Sequence, residues 1–263
     1  MAMLLVPGFM LDADLWRDVV PALAAYGPAT YADLSQDGSI AAMARRALSE
    51  APSEFVLVGF SMGGYVAREI VRQAGDRVTA LVLIATSARG DSNVELQRKA
   101  AIAGHTGGAV FRGLSRAAVA SSLHPANAER TDIIARILAA GQRLGGDVFH
   151  RQSLIDRRDE RDNLKAIRCP SLVIAGEQDR LRSRTEALEL HQGIVGSSFE
   201  IIENTGHMVP MEAPQRLGTA IREWLNGATD DDRRRRGITS RNARRGWAVL
   251  AAHLFDCLSC SSA

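Results

Sequence analysis

Gly59-Phe60-Ser61-Met62-Gly63 sets one hydroxyl between two glycines, where the apolar run FVLVGF ends and the helix-like run MGGYVAREIVRQA begins. A strand-to-helix turn this sharp forces strained backbone angles on its serine, and the flanking glycines let neighbouring chain approach without Cβ clashes. Ser61 Oγ would then stand above the strand ends. The backbone N–H of Met62, at the start of the helix, would be aimed at any oxyanion formed beside that hydroxyl. The chemistry implied is nucleophilic attack on a carbonyl carbon. The same glycines would also suit a tight turn with no chemistry, so the partners of Ser61 decide.

A serine hydroxyl needs a base to take its proton, and the base needs a carboxylate to orient it. Downstream of such a turn the two should follow in the order acid, then histidine, each in a loop after a strand. SLVIAGEQDRL offers Asp179. Glu177, two positions earlier, competes for the role, and Asp179 is favoured by its distance past the end of the apolar run. FEIIENTGHMVPMEAP offers His207 in a Gly-His turn before Pro210 and Pro214. His105, His124, His150 and His191 fall in helical patterns or at their ends, and His253 lies near the chain's end, so only His207 follows a late strand. No two histidines or carboxylates take metal-ligand spacing on one helix, which argues against a metal hydrolase. A second oxyanion donor should come from the loop after the first strand, where LLVPGFMLDADLW makes the N–H of Phe9, beside Gly8, the candidate.

These residues need a scaffold that ends several strands at one edge. Short apolar runs at 3–6, 29–34, 55–60, 78–85, 171–176 and 197–203 read as strands, and several are continuously apolar, as buried parallel strands are. Between them, DADLWRDVVPALAAY carries Leu15, Trp16, Val19, Val20 and Leu23 on one helical face behind an Asp12 cap. SIAAMARRALSE repeats the arrangement behind Ser39. The alternation predicts an α/β fold with a doubly wound, mostly parallel sheet and its ligand site beyond the carboxyl ends of the strands. From about 90 to 166 the pattern is helical with no strand, which predicts a helical cap inserted over those ends. Its arginines (Arg136, Arg143, Arg151, Arg157, Arg158, Arg161) read as a solvated face paired with Asp156, Asp159, Glu160 and Asp162.

At 263 residues and a formal charge of +2, the chain suits one soluble domain, read here as residues 1–226. Residues 227–263 hold seven arginines against four aspartates, a net +3, leaving the body at −1. A nearly neutral body argues for neither nucleic acid nor an anionic membrane as partner. The tail lacks interleaved aromatics, its apolar stretch is too short to span a bilayer, and it is expected to be disordered or loosely docked. Cys257 and Cys260 form a lone CxxC, weak as a metal or redox signal, and Cys169 reads as a buried free thiol. MAMLLVPG is no signal peptide, so a cytoplasmic location is the default. A monomer or homodimer is expected.

PGFMLDADLW, GFSMGG, GEQD and GHMVPMEAPQRL together resemble the α/β-hydrolase fold family, over residues 3–226, with spacing similar to its small carboxylesterases. Members usually carry His before the first-loop glycine, where this chain has Pro7. DLSQDGSI stands as a shortened form of the family's D-x-P-G-x-G-x-S loop. The chain starts at what would be the family's third strand, so the usual first hairpin is expected to be missing. The resemblance implies a small-molecule ester as substrate and no cofactor. Thioesterase, lactonase, carbon–carbon hydrolase or perhydrolase chemistry would use the same three residues, and a ligand-sensing protein of the same fold is the alternative outside catalysis. Serine rather than aspartate at position 61 argues against the alkyl-aspartate chemistry of haloalkane dehalogenases and epoxide hydrolases.

Overall fold

The computed structural model describes residues 2–104 and 111–235. Its six strands are β1 (Ala2–Val6), β2 (Ala29–Tyr31), β3 (Phe55–Phe60), β4 (Val78–Ile84), β5 (Ser171–Gly176) and β6 (Ser198–Ile202). They form one sheet in the order β2-β1-β3-β4-β5-β6, and every pairing is parallel. All six apolar runs are therefore strands. β2 is shorter than its run because the ladder ends when Ala32 N–H reaches Leu5 O. Asp33 then turns the chain by accepting from Ser35 N–H.

β3 and β5 are buried at every position because helices cover both faces of the sheet. Phe55, Leu57 and Leu81 are fully buried, each worth roughly 1.5–3 kcal/mol of transfer free energy. The helices are α1 (Val20–Leu23), α2 (Ile40–Glu50), α3 (Met62–Ala74), α4 (Asn93–Gly104), α5 (Arg116–Ser122), α6 (Thr131–Ser153), α7 (Arg184–Gly193), α8 (Val209–Glu212) and α9 (Pro214–Arg235). Ser39 caps α2 by accepting from Ala42 N–H, and Met43, Ala44 and Ala47 face the core.

The first expected helix is broken. Asp12 caps a short 3-10 turn (Ala13–Trp16) as expected, but α1 starts only at Val20, with Pro21 in its first turn. Pro21 has no N–H to extend the preceding turn, so the chain restarts there. The apolar face survives the break, because Leu15, Trp16, Val19 and Leu23 are all buried.

Between β4 and β5 the described residues are helical or irregular and include no strand. α6 is the longest helix of this region and is kinked at Gly145 (φ 78°). The helical pattern expected as far as 166 fails in the charged run after Ser153, which is a loop and a 3-10 turn, Arg161–Ala166. Five of the six arginines are ion-paired, partly with other acids than expected, whereas Arg151 bonds the backbone Ser35 O and no acid. Arg158 bonds Asp156 and Arg161 bonds Asp159. Arg136 instead reaches Asp14 and Asp18, Arg143 reaches Asp12, and Arg157 reaches Asp91. These partners lie in the segments after β1 and β4, so α6 is strapped down over the carboxyl end of β1. Spacing along a helix could not reveal acids 66 to 131 residues away.

The chain divides into a compact unit, Met1–Arg222, and a second unit from Glu223 onward. α9 continues to Arg235, into the segment expected to be a disordered or loosely docked tail. The remainder of that tail, with Cys257 and Cys260, lies outside the described residues, as does His105. Among the described residues no helix is long and apolar enough to cross a membrane.

Candidate active site

The turn after β3 carries the strain its sequence implied. Ser61 has φ 53° and ψ −115°, a conformation that costs a non-glycine residue about 1–3 kcal/mol. Three bonds hold it there. Ser61 N–H donates to Ile84 O at 2.9 Å, and Ser61 O accepts from Gly64 N–H at 2.9 Å and from Thr86 Oγ1 at 2.7 Å. Gly63 is needed for space: a Cβ there would lie 2.3 Å from Val6 O, so only a glycine lets α3 start against the end of β1. Gly59 is equally confined, its Cβ position 2.6 Å from Gly63 O.

The structure brings Ser61, His207 and Asp179 into one hydrogen-bonded line. Ser61 Oγ is 2.9 Å from His207 Nε2, and His207 Nδ1 is 2.8 Å from Asp179 Oδ2. An ionised carboxylate only accepts, so Nδ1 carries the proton and the Nε2 lone pair faces the serine hydroxyl. That is the tautomer in which a histidine can take a proton from Ser61. Burial keeps competing water away, with Ser61 8% and His207 6% exposed. The His207 ring also leans on Phe60, centroids 5.1 Å apart.

Asp179 is fixed by its second oxygen. Oδ1 accepts from Leu181 N–H at 2.8 Å and Arg182 N–H at 2.9 Å, which leaves Oδ2 for the histidine. Glu177 takes a different position, bonding Asn204 N–H at 2.8 Å across the turn after β6. It braces that turn rather than His207.

The candidate oxyanion donors lie where two chain segments meet. Met62 opens α3, so its N–H is one of the amides a helix leaves unpaired. In the loop after β1, Pro7 has no N–H. The Leu11 N–H closes a turn onto Gly8 O and the Met10 N–H is taken by a side chain. The Phe9 N–H has no acceptor among the described residues. Gly8 packs against the serine, since a Cβ on it would lie 3.3 Å from Ser61 Cβ. Unpaired amides aimed at a reacting carbonyl are the groups that stabilise a tetrahedral oxyanion.

Sequence reasoning passed over Glu212. Its Oε1 accepts from Gly206 N–H at 3.0 Å and Met208 N–H at 3.2 Å, the amides on either side of His207. Its Oε2 accepts from His124 N–H at 2.8 Å and Asn127 Nδ2 at 2.9 Å. His207 N–H itself donates to Ser122 O at 2.8 Å. The histidine loop is thus tied to the segment after α5. The available signal was a carboxylate five residues after a histidine and flanked by prolines, in HMVPMEAP.

The sheet order, the strained serine at the end of β3 and the acid and histidine after β5 and β6 define a hydrolase of the α/β class. The sequence model of the alpha/beta hydrolase family matches residues 3–220, and the chain belongs to that family. Among curated proteins it is similar to the pimeloyl-[acyl-carrier protein] methyl ester esterase of Neisseria meningitidis serogroup A. The two are 25% identical over 243 residues, covering 86% of this chain and 77% of that protein. The enzyme of that name from Klebsiella pneumoniae is 36% identical over 93 residues, 32% of this chain and 36% of that protein, so the match spans little more than a third of that relative. Among solved structures, a thermophilic esterase from Thermogutta terrifontis, malate bound, superposes with a TM-score of 0.74 at 26% identity, covering 87% of this chain and 90% of that one. The enol-lactonase of Burkholderia xenovorans LB400 gives 0.71 at 20% identity, over 86% and 92%, a likeness of fold alone.

Proposed function

We propose that this chain hydrolyses carboxylic esters of small substrates through an acyl-enzyme formed on Ser61. The reading rests on one observation above the rest: Ser61 Oγ, His207 and Asp179 form a continuous line with 2.9 and 2.8 Å links, on a serine held in strained backbone. Esterase names among the relatives support the substrate class.

His207 Nε2 takes the Ser61 proton as Oγ attacks the ester carbonyl carbon, and the positive charge that develops on the ring faces the Asp179 carboxylate. The N–H groups of Phe9 and Met62 donate to the carbonyl oxygen as it becomes an oxyanion. The tetrahedral species collapses, the carbon–oxygen bond to the alcohol breaks, and His207 returns the proton to the departing alkoxide. Water then enters, gives a proton to His207 and attacks the acyl carbon. Collapse of the second tetrahedral species releases the acid and restores the Ser61 hydroxyl. The helices between β4 and β5 act as a cap that shapes the acyl site.

The test is steady-state hydrolysis of p-nitrophenyl acetate and butyrate by the wild type and Ser61→Ala. Multiple turnovers, lowered by a factor of about 10⁴ or more in the variant, are expected. Ester hydrolysis left intact in Ser61→Ala would remove the assignment. Tight ligand binding without turnover in the wild type would favour a sensor.

A further inference from the structure

The amide of Met10 does not bond within its own loop. It donates to Gln152 Oε1 at 2.8 Å, across 142 residues of sequence. Gln152 stands near the end of α6, is 1% exposed, and spends its other end on Leu34 O, 3.1 Å from Nε2. One side-chain amide therefore joins the loop after β1, the loop after β2 and the helix laid over both. Its neighbour Arg151 adds a bond to Ser35 O at 2.6 Å.

The loop it grips carries Phe9. Gly8 O and Leu11 N–H close the turn at 3.3 Å, a long bond, and Met10 sits at φ 53°. Positive φ at the third residue of a four-residue turn suits glycine and costs a methionine about 1 kcal/mol or more. Left to local preference, the Phe9–Met10 peptide would rotate to bring Met10 to negative φ, moving its N–H off Gln152. The Gln152 carbonyl, buried and without another donor, holds the rarer turn. Phe9 itself is held by the same helix through its ring, which meets Phe149 edge-on with centroids 5.7 Å apart.

We infer that Gln152 is a positioning residue for the oxyanion loop, so that the inserted helix α6 helps build the transition-state site as well as covering the acyl group. The inference rests on the reading of Phe9 N–H as an oxyanion donor. It separates the bond to Met10, which would set kcat, from the bond to Leu34, which would set stability.

Three proteins test it: wild type, Gln152→Met and Gln152→Glu. Methionine keeps the volume and loses the acceptor. Glutamate keeps an acceptor for Met10 N–H but, when ionised, faces Leu34 O with no donor. Kinetics on p-nitrophenyl butyrate, with active sites counted by fluorophosphonate titration, should show kcat down about 10- to 100-fold in Gln152→Met with KM within threefold, part of the loss for a whole oxyanion donor. Gln152→Glu should keep kcat within about tenfold of wild type although it melts no higher than Gln152→Met. Activity that tracks melting temperature across the three, with glutamate the least active, would reduce Gln152 to a packing role and overturn the inference. If Gln152→Met does not fold, a folded Gln152→Glu with kcat down more than a hundredfold overturns it alone. Ser61→Ala run alongside keeps the readings apart. Its turnover surviving removes the esterase assignment, whereas its turnover lost with Gln152→Met at full kcat removes only the role of Gln152.

Discussion

Replacing Glu212 by alanine should damage this protein out of proportion to a half-buried surface residue. The carboxylate accepts four hydrogen bonds, from Gly206, Met208 and His124 N–H and from Asn127 Nδ2, at 2.8–3.2 Å. Each buried donor left without a partner costs about 1–3 kcal/mol, but the site is only partly enclosed and water will reach some of them. A net loss of about 3 kcal/mol is therefore expected rather than the full sum. For a chain of this size that corresponds to a fall in melting temperature of roughly 6–12 °C. Two of the four donors flank His207, so its ring should also lose alignment with Ser61, and kcat for a p-nitrophenyl ester should fall at least tenfold at 20 °C, well below the transition. Glu212→Gln turns an NH₂ group toward one pair of donors, keeps at most two bonds, and should lose stability and rate as well. Differential scanning fluorimetry and steady-state kinetics on the three proteins decide it. A Glu212→Ala protein melting within 2 °C of wild type with kcat within twofold would refute the argument.

Two further outcomes follow from the geometry. Asp179→Asn should lower kcat by about 10³–10⁴, because an amide at Oδ2 no longer favours the Nδ1–H tautomer, while Glu177→Gln stays within threefold of wild type in kcat. Equal losses in the two would reverse their roles. Burial pushes the Asp91 carboxyl up, but bonds from Lys99 and from the Arg157 backbone, and the charges of both, outweigh it and hold the group below the usual carboxylate range. The stability Asp91 contributes is therefore complete above its unfolded value near ~4 and drains away as pH falls through the lower folded value. The gap in melting temperature between wild type and Asp91→Asn should be largest near pH 7 and narrow below about pH 4. A gap constant from pH 7 to 3 would contradict this.

What the sequence could disclose follows from the range over which its signals act. The strands were legible because burial on both faces writes unbroken apolar runs such as FVLVGF and SLVIAG, but the order in which they pair, β2-β1-β3-β4-β5-β6, was not. Ser61 was legible because the glycines of its turn answer to local sterics: Gly59 and Gly63 have no room for a Cβ. Asp179 and His207 were found by their places after late strands, and the structure brings His207 to Ser61 and Asp179 to His207. Distance past the strand favoured Asp179 over Glu177, and the structure turns just Asp179 toward the histidine. Contacts across the fold were invisible. Arg136 finds Asp14 and Asp18, Gln152 finds Met10, and Glu212 finds His124, each across 85 residues or more. A helical pattern shows which side of α6 is apolar but not that one buried glutamine on it faces a strained loop. The break at Pro21 could have been read from the missing N–H. Its apolar face masked it by keeping helical spacing.

The most direct test of the account is covalent. Treating the wild type with diisopropyl fluorophosphate and mapping peptides by mass spectrometry should place one diisopropylphosphoryl group on Ser61, with loss of ester hydrolysis in proportion to labelling, and His207→Ala should label at least a thousandfold more slowly. Labelling elsewhere, or full hydrolysis with Ser61 fully modified, would contradict the claim that Ser61 is the nucleophile.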